Sequence, residues 1–180
     1  MVHGWGGGPD GGWFLWLRGE LERRGFEVYS PAMPNTDTPV IEEWVSHLKK
    51  VVTNPDKNTY LIGGSIGCQA IMRYLQEIDA KVGGVLFVAG WLNLKELETQ
   101  EEKDVAEPWL TTPIDFEKVK KSAGKIIAIF STNDPFVPLS DTKIFAKSLG
   151  AEVSIETGVG HFDGTEYPVI LEEFLRLTNQ

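Results

Sequence analysis

Short runs of apolar, β-branched residues recur along this chain, each followed by a stretch whose apolar residues repeat with the period of a helix. A strand of five to seven residues that is apolar on both faces needs cover on both faces. The alternation therefore predicts an α/β protein with a mostly parallel sheet between two layers of helices. Strands are expected at Phe26–Ser30, Thr59–Gly63, Gly83–Ala89, Lys125–Ser131 and Glu152–Glu156, with another ending just before His3. Between them, Trp13, Leu17 and Leu21 mark a helix that stops at Gly25, and Ile41, Trp44, Val45 and Leu48 mark a second. Further helices are expected from Ile66 to Asp79, Asp115 to Ser122, Ser140 to Leu149 and Glu166 to Leu177. At 180 residues this is one domain, 1–180, large enough to bury a core without a disulfide or metal staple.

Charge narrows the partners. Seventeen Lys and Arg against twenty-six Asp and Glu give a net charge of −9, which argues against nucleic acid and anionic membrane surfaces. The longest apolar runs, such as Lys125 to Phe130, are too short to cross a bilayer, and no signal peptide is expected. A single cysteine, Cys68, fits a reducing cytoplasm. The expected partner is a small molecule, taken by a monomer or weak dimer.

The segment from Trp91 to Ile114 breaks the pattern, with neither clean period. Lys95 to Glu107 hold six acidic and two basic residues, a local net charge of −4. It reads either as a solvated helix plus loop or as a small acidic lid inserted after a strand, about 91–114.

Chemistry is concentrated where strands end. Gly63-Gly64-Ser65-Ile66-Gly67 is a G-x-S-x-G at a strand-to-helix junction, the pattern of a nucleophile elbow. The turn is so tight that side chains beside the serine collide, and its strain lifts the hydroxyl clear of the sheet. A serine hydroxyl also needs a base, itself oriented by a carboxylate. Of three histidines, His47 sits among charged residues of an amphipathic helix, whereas His161 follows a strand in the flexible loop Gly158-Val159-Gly160-His161-Phe162. Asp134, in Ser131-Thr132-Asn133-Asp134-Pro135, follows another strand; Asp141 and Asp163 are the alternative acids. Ser65, Asp134 and His161 thus fall after three strands in the order characteristic of α/β-hydrolases.

The loop His3-Gly4-Trp5-Gly6-Gly7-Gly8 follows the first strand, where such folds place one oxyanion donor. The expected donors are the N–H groups of Trp5 and Ile66, and the expected pocket walls are His3, Gly64, Trp91, Trp109 and Phe136. Gly6 to Gly11 also satisfies G-x-G-x-x-G, but the dinucleotide fold this suggests wants an acid after its second strand, and Val28-Tyr29-Ser30-Pro31 has none. A metal drawing on His3, Asp134 and His161 lacks ligand spacing, so no metal is expected.

Together these blocks, with Met33-Pro34, Ala70-Ile71-Met72-Arg73-Tyr74 and Phe136-Val137-Pro138, resemble the small serine hydrolases of the YdeN and retinoblastoma-binding-protein-nine family. The resemblance runs over nearly the whole chain. It implies a minimal α/β-hydrolase fold without a large cap, a six-stranded sheet ordered 2-1-3-4-5-6, a Ser65–His161–Asp134 triad, no cofactor, and hydrolysis of small esters or amides. An amidase or aminopeptidase, or a non-catalytic interaction module on the same fold, are the other readings. The sequence departs from the family at Gly64, where many relatives carry a polar residue, and at the first strand, for which only Met1 and Val2 are present. Each buried β-branched residue missing there forfeits about 1.5–3 kcal/mol, so Met1 is expected to be an internal methionine of a longer protein or a misplaced start.

Overall fold

The run Gly84–Val88 is apolar at four consecutive positions, and all four are buried, as an interior strand covered on both faces requires. In the computed structural model, which describes residues 1–95 and 97–180, it is the second of four parallel strands. These are β1 (Tyr60–Gly64), β2 (Gly84–Val88), β3 (Lys125–Ser131) and β4 (Glu152–Glu156), laid side by side in chain order. Alternate side chains feed two cores. Val85 and Phe87 of β2 join Ala128 and Phe130 of β3 on one face, while Leu86 and Val88 join Ile127 and Ile129 on the other.

Helices α1 (Trp13–Glu22) and α7 (Pro168–Thr178) cover the second face through Leu17, Leu21, Ile170 and Phe174. Helices α2 (Ile41–Val51), α3 (Ile66–Leu75), α5 (Phe116–Ala123) and α6 (Asp141–Ser148) cover the first, through Trp44, Leu48, Ile71, Val119 and Phe145. The strand and helix pattern of the sequence is therefore realised as a parallel sheet between helical layers. Most ends move by one or two residues, and the largest shifts are at α1, which stops at Glu22 ahead of a left-handed Gly25, and at α3, which stops at Leu75 rather than Asp79.

The sheet is smaller than expected, with four strands among the described residues instead of six. Val2 makes a single parallel bridge beside β1, its N–H donating to Ile62 O at 2.8 Å and its carbonyl accepting from Gly64 N at 3.0 Å. Phe26–Ser30 runs alongside without being a strand. A strand exists only as half of a ladder, and Phe26–Ser30 pairs with none; the amino group of Met1 donates to Tyr29 O at 2.6 Å.

The irregular acidic segment contains helix α4 (Gln100–Thr111), opened by a capping box in which Thr99 accepts from Glu102 N and Glu102 accepts from Thr99 N. Only Ala106 and Trp109 of α4 are buried, so a narrow stripe left little period to read. Glu96, one of the six acidic residues of that run, lies outside the described residues.

Candidate active site

Ser65 stands between the last residue of β1 and the first of α3, with φ 53° and ψ −123°. A non-glycine residue held there costs about 1–3 kcal/mol, and the surroundings explain how the turn is enforced. A Cβ on Gly67 would lie 2.3 Å from Val2 O, and one on Gly63 would lie 2.9 Å from Cys68 N. Both glycines are thus required by close backbone approach. The Ser65 N–H is spent on Val88 O at 2.9 Å, which ties the elbow to β2.

His161 comes from the loop between β4 and α7, flanked by Gly160 at φ 65° and Phe162 at φ 59°. Its Nε2 lies 3.0 Å from Ser65 Oγ and its Nδ1 lies 2.7 Å from Asp134 Oδ2. Because an ionised carboxylate only accepts, Nδ1 carries the ring proton and Nε2 is free to accept from the serine hydroxyl. The other oxygen of Asp134 accepts from Phe136 N at 2.8 Å and Val137 N at 2.9 Å. Burial pushes the Asp134 carboxyl up, but the hydrogen bond and charge of His161, with those two backbone donors, outweigh it and hold the group below the usual carboxylate range. Phe136 stands edge-on to the imidazole with ring centroids 5.1 Å apart.

The other candidates from the sequence fall elsewhere. His47 lies on α2 and Asp163 at the exposed mouth of the cavity. Asp141 is buried at the start of α6, where it accepts from Leu92 N at 2.6 Å, Asn93 N at 2.9 Å and Asn93 Nδ2 at 2.7 Å. It fastens the loop after β2 and does not approach the imidazole.

The glycine-rich loop lies against the elbow: a Cβ on Gly4 would sit 3.4 Å from Ser65 Cβ. The loop is held by Gly6 N donating to Thr36 O at 2.8 Å and by the Trp5 indole donating to Asp37 O at 2.8 Å. Among the described residues the backbone N–H groups of Trp5 and Ile66 donate to no other group, Ile66 being the first residue of α3 and so without an intrahelical acceptor.

A cavity of about 680 Å³ opens over Ser65 and His161. His3, Gly64, Trp91 and Phe136 line it, although His3 is buried and its Nε2 accepts from Met33 N at 3.0 Å. Trp109 does not line it. Its indole donates to Pro39 O at 2.9 Å and its ring packs edge-on against Trp44, so it anchors α4 in the core. Trp13 and Phe14 of α1, stacked at 3.9 Å, are core residues that also form walls of the cavity, a second role that helical periodicity does not reveal. The available signal was Gly64 itself, since a Cβ there would lie 3.0 Å from Phe14 Cζ. Thr99, Glu101 and Glu102 bring the N-terminal end of α4 to the cavity rim.

Known proteins resemble this chain over most of their length. The serine hydrolase family model matches residues 1–170. The YdeN protein of Bacillus subtilis is 30% identical over 164 residues, covering 90% of this chain and 84% of that protein. The serine hydrolase RBBP9 of Rattus norvegicus is 31% identical over 170 residues, covering 93% and 88%. The crystal structure of the YdeN protein superposes with a TM-score of 0.89 at 26% identity, covering 99% and 97% of the two chains. A carboxylesterase of the thaumarchaeon Nitrososphaera gargenis shares the fold at a TM-score of 0.72 and 16% identity, covering 99% and 89%. With its α/β-hydrolase-like sheet and a family match over nearly its whole length, this chain belongs to the serine hydrolase family.

Proposed function

We propose that the chain hydrolyses small carboxylic esters through an acyl-enzyme intermediate on Ser65. The observation that carries this reading is the imidazole of His161 held between Asp134 Oδ2 and Ser65 Oγ. As Ser65 Oγ attacks the carbonyl carbon, its proton passes to His161 Nε2, and Asp134 keeps the ring in the tautomer that accepts it. The carbonyl oxygen gains the charge, and the N–H groups of Trp5 and Ile66 are the donors assigned to it. Collapse breaks the bond to the leaving oxygen, which takes the proton from Nε2. Water then repeats the sequence on the acyl-enzyme and frees Ser65. Esters are preferred to amides because an alkoxide asks less of the general acid than an amine does. The segment from Trp91 to Ile114 serves as a small lid, with the start of α4 over the cavity.

A fluorophosphonate probe tests the chemistry. Wild type should be labelled and Ser65→Ala should not; well-folded wild type that takes no label excludes the reading. p-Nitrophenyl esters of increasing chain length, run beside aminoacyl amides, then decide between ester and amide.

A further inference from the structure

His161 sits in a loop between β4 and α7 with left-handed residues on both sides, so no helix or strand hydrogen bonds place its backbone. The loop is fixed from outside, by the two residues that precede Asp134. Thr132 extends the β3–β4 ladder, its N–H donating to Glu156 O at 2.9 Å, and its hydroxyl accepts from Gly158 N at 3.1 Å. Asn133 goes further. Its Oδ1 accepts from Gly160 N at 2.8 Å, one residue before His161, and from the Ser131 hydroxyl at 2.8 Å. The same short segment therefore supplies the carboxylate that grips the imidazole and the amide that grips the backbone carrying it.

We infer that Asn133 is a positioning residue: its side-chain oxygen sets the His161 loop so that Nδ1 meets Asp134 while Nε2 meets Ser65. The inference rests on the proposed hydrolase chemistry for its kinetic consequence but not for its geometry. Two contacts of 2.7 and 3.0 Å on one ring demand placement to a fraction of an ångström, and a misplacement of about 1 Å costs on the order of 100-fold in rate. Asn133 touches neither Ser65 nor the cavity, so its loss should leave substrate binding alone.

The test compares Asn133→Ala and Asn133→Asp with wild type on a p-nitrophenyl ester, alongside the low-field proton resonance of the His161 Nδ1–H. Asn133→Ala, at an exposed position, should melt close to wild type, lower kcat about 10- to 100-fold with KM within about 2-fold, and broaden or abolish the resonance. Asn133→Asp keeps the acceptor oxygen, so kcat should return to within about 3-fold of wild type, and the added charge should move the acid limb of kcat/KM to higher pH. Asn133→Ala with wild-type kcat and an unchanged resonance overturns the inference, as does an Asn133→Asp no better than alanine. Absence of ester turnover and of fluorophosphonate labelling in wild type defeats the hydrolase reading instead, and the resonance still decides the role of Asn133.

Discussion

Nε2 of His3 accepts the Met33 N–H at 3.0 Å, which places the ring proton on Nδ1, 3.0 Å from Gly4 O. One neutral imidazole thus pins the glycine-rich loop beside Ser65 to the loop after Phe26–Ser30. Protonation would turn Nε2 into a donor facing a donor. Burial is the main cause that lowers the His3 pKa below its ordinary 6.5, only partly opposed by the bond to Gly4 O.

The pH dependence of stability follows from that direction. The unfolded chain takes up the proton first as pH falls through about 6.5, so stability is complete above that value. It is lost below it, and the loss levels off once the pH passes the lower folded value. Urea unfolding between pH 8 and 5 should show this slope in wild type and a reduced one in His3→Ala. Equal slopes in the two proteins would show that His3 is not the titrating group.

Arg73 is buried on α3 and donates to Gln69 Oε1 at 3.0 Å, Trp109 O at 3.0 Å and Thr112 O at 2.9 Å. Burial lowers its pKa to about 10, which still leaves it charged at neutral pH. Its two carbonyl partners are those of Trp109 in the last turn of α4 and of Thr112, the residue that caps it, where carbonyls find no N–H donor within the helix. Arg73→Met should therefore cost about 2–4 kcal/mol by stranding both carbonyls. Arg73→Lys should recover less than half of that, since an ammonium cannot reproduce the fork. Denaturant titration measures both, and a methionine variant within about 0.5 kcal/mol of wild type contradicts the assignment.

What the sequence made legible was what local chemistry dictates. The buried strands β1 to β3 need Val, Ile and Leu whatever surrounds them, and Ser65, Asp134 and His161 each stand where a strand releases its chain. Properties set by distant neighbours were not legible. Phe26–Ser30 has a strand's composition but needs a partner to be one. Trp109 and Trp13 are equally aromatic, yet one anchors α4 under Arg73 while the other faces the cavity, a difference fixed by packing. Asn133 stands in a block that carries the family resemblance, but no period or motif gives it a role of its own; that role exists only because Gly160 comes to it.

Gly64 and Phe14 are expected to be coupled. A Cβ at position 64 would lie 3.0 Å from Phe14 Cζ and 3.2 Å from Trp13 Cζ2, tighter than a packed interior accepts without movement. Gly64→Ala alone should destabilise by about 1–3 kcal/mol and lower ester turnover, because the displaced ring is a wall of the cavity. Adding Phe14→Leu frees the space, so the double variant should be more stable than the sum of the single effects predicts. A double-mutant cycle measures the coupling, and simple additivity would mean that Phe14 does not shape the wall beside Ser65.

Asp134 and Asp141 were both eligible acids by sequence, and kinetics should separate them. Asp134→Asn removes the acceptor that holds the His161 tautomer, so kcat should fall by about 10⁴-fold, as it does when the equivalent group of a Ser-His-Asp system is replaced. Asp141→Asn acts through the loop of Trp91 and Leu94, which lines the cavity but not the reacting atoms. Its amide keeps one acceptor for the three donors now satisfied there, so stability should drop by about 1–3 kcal/mol. KM should rise more than kcat falls, because what moves is a wall rather than the proton path. If Asp141→Asn abolished turnover and Asp134→Asn spared it, the roles assigned to the two carboxylates would have to be exchanged.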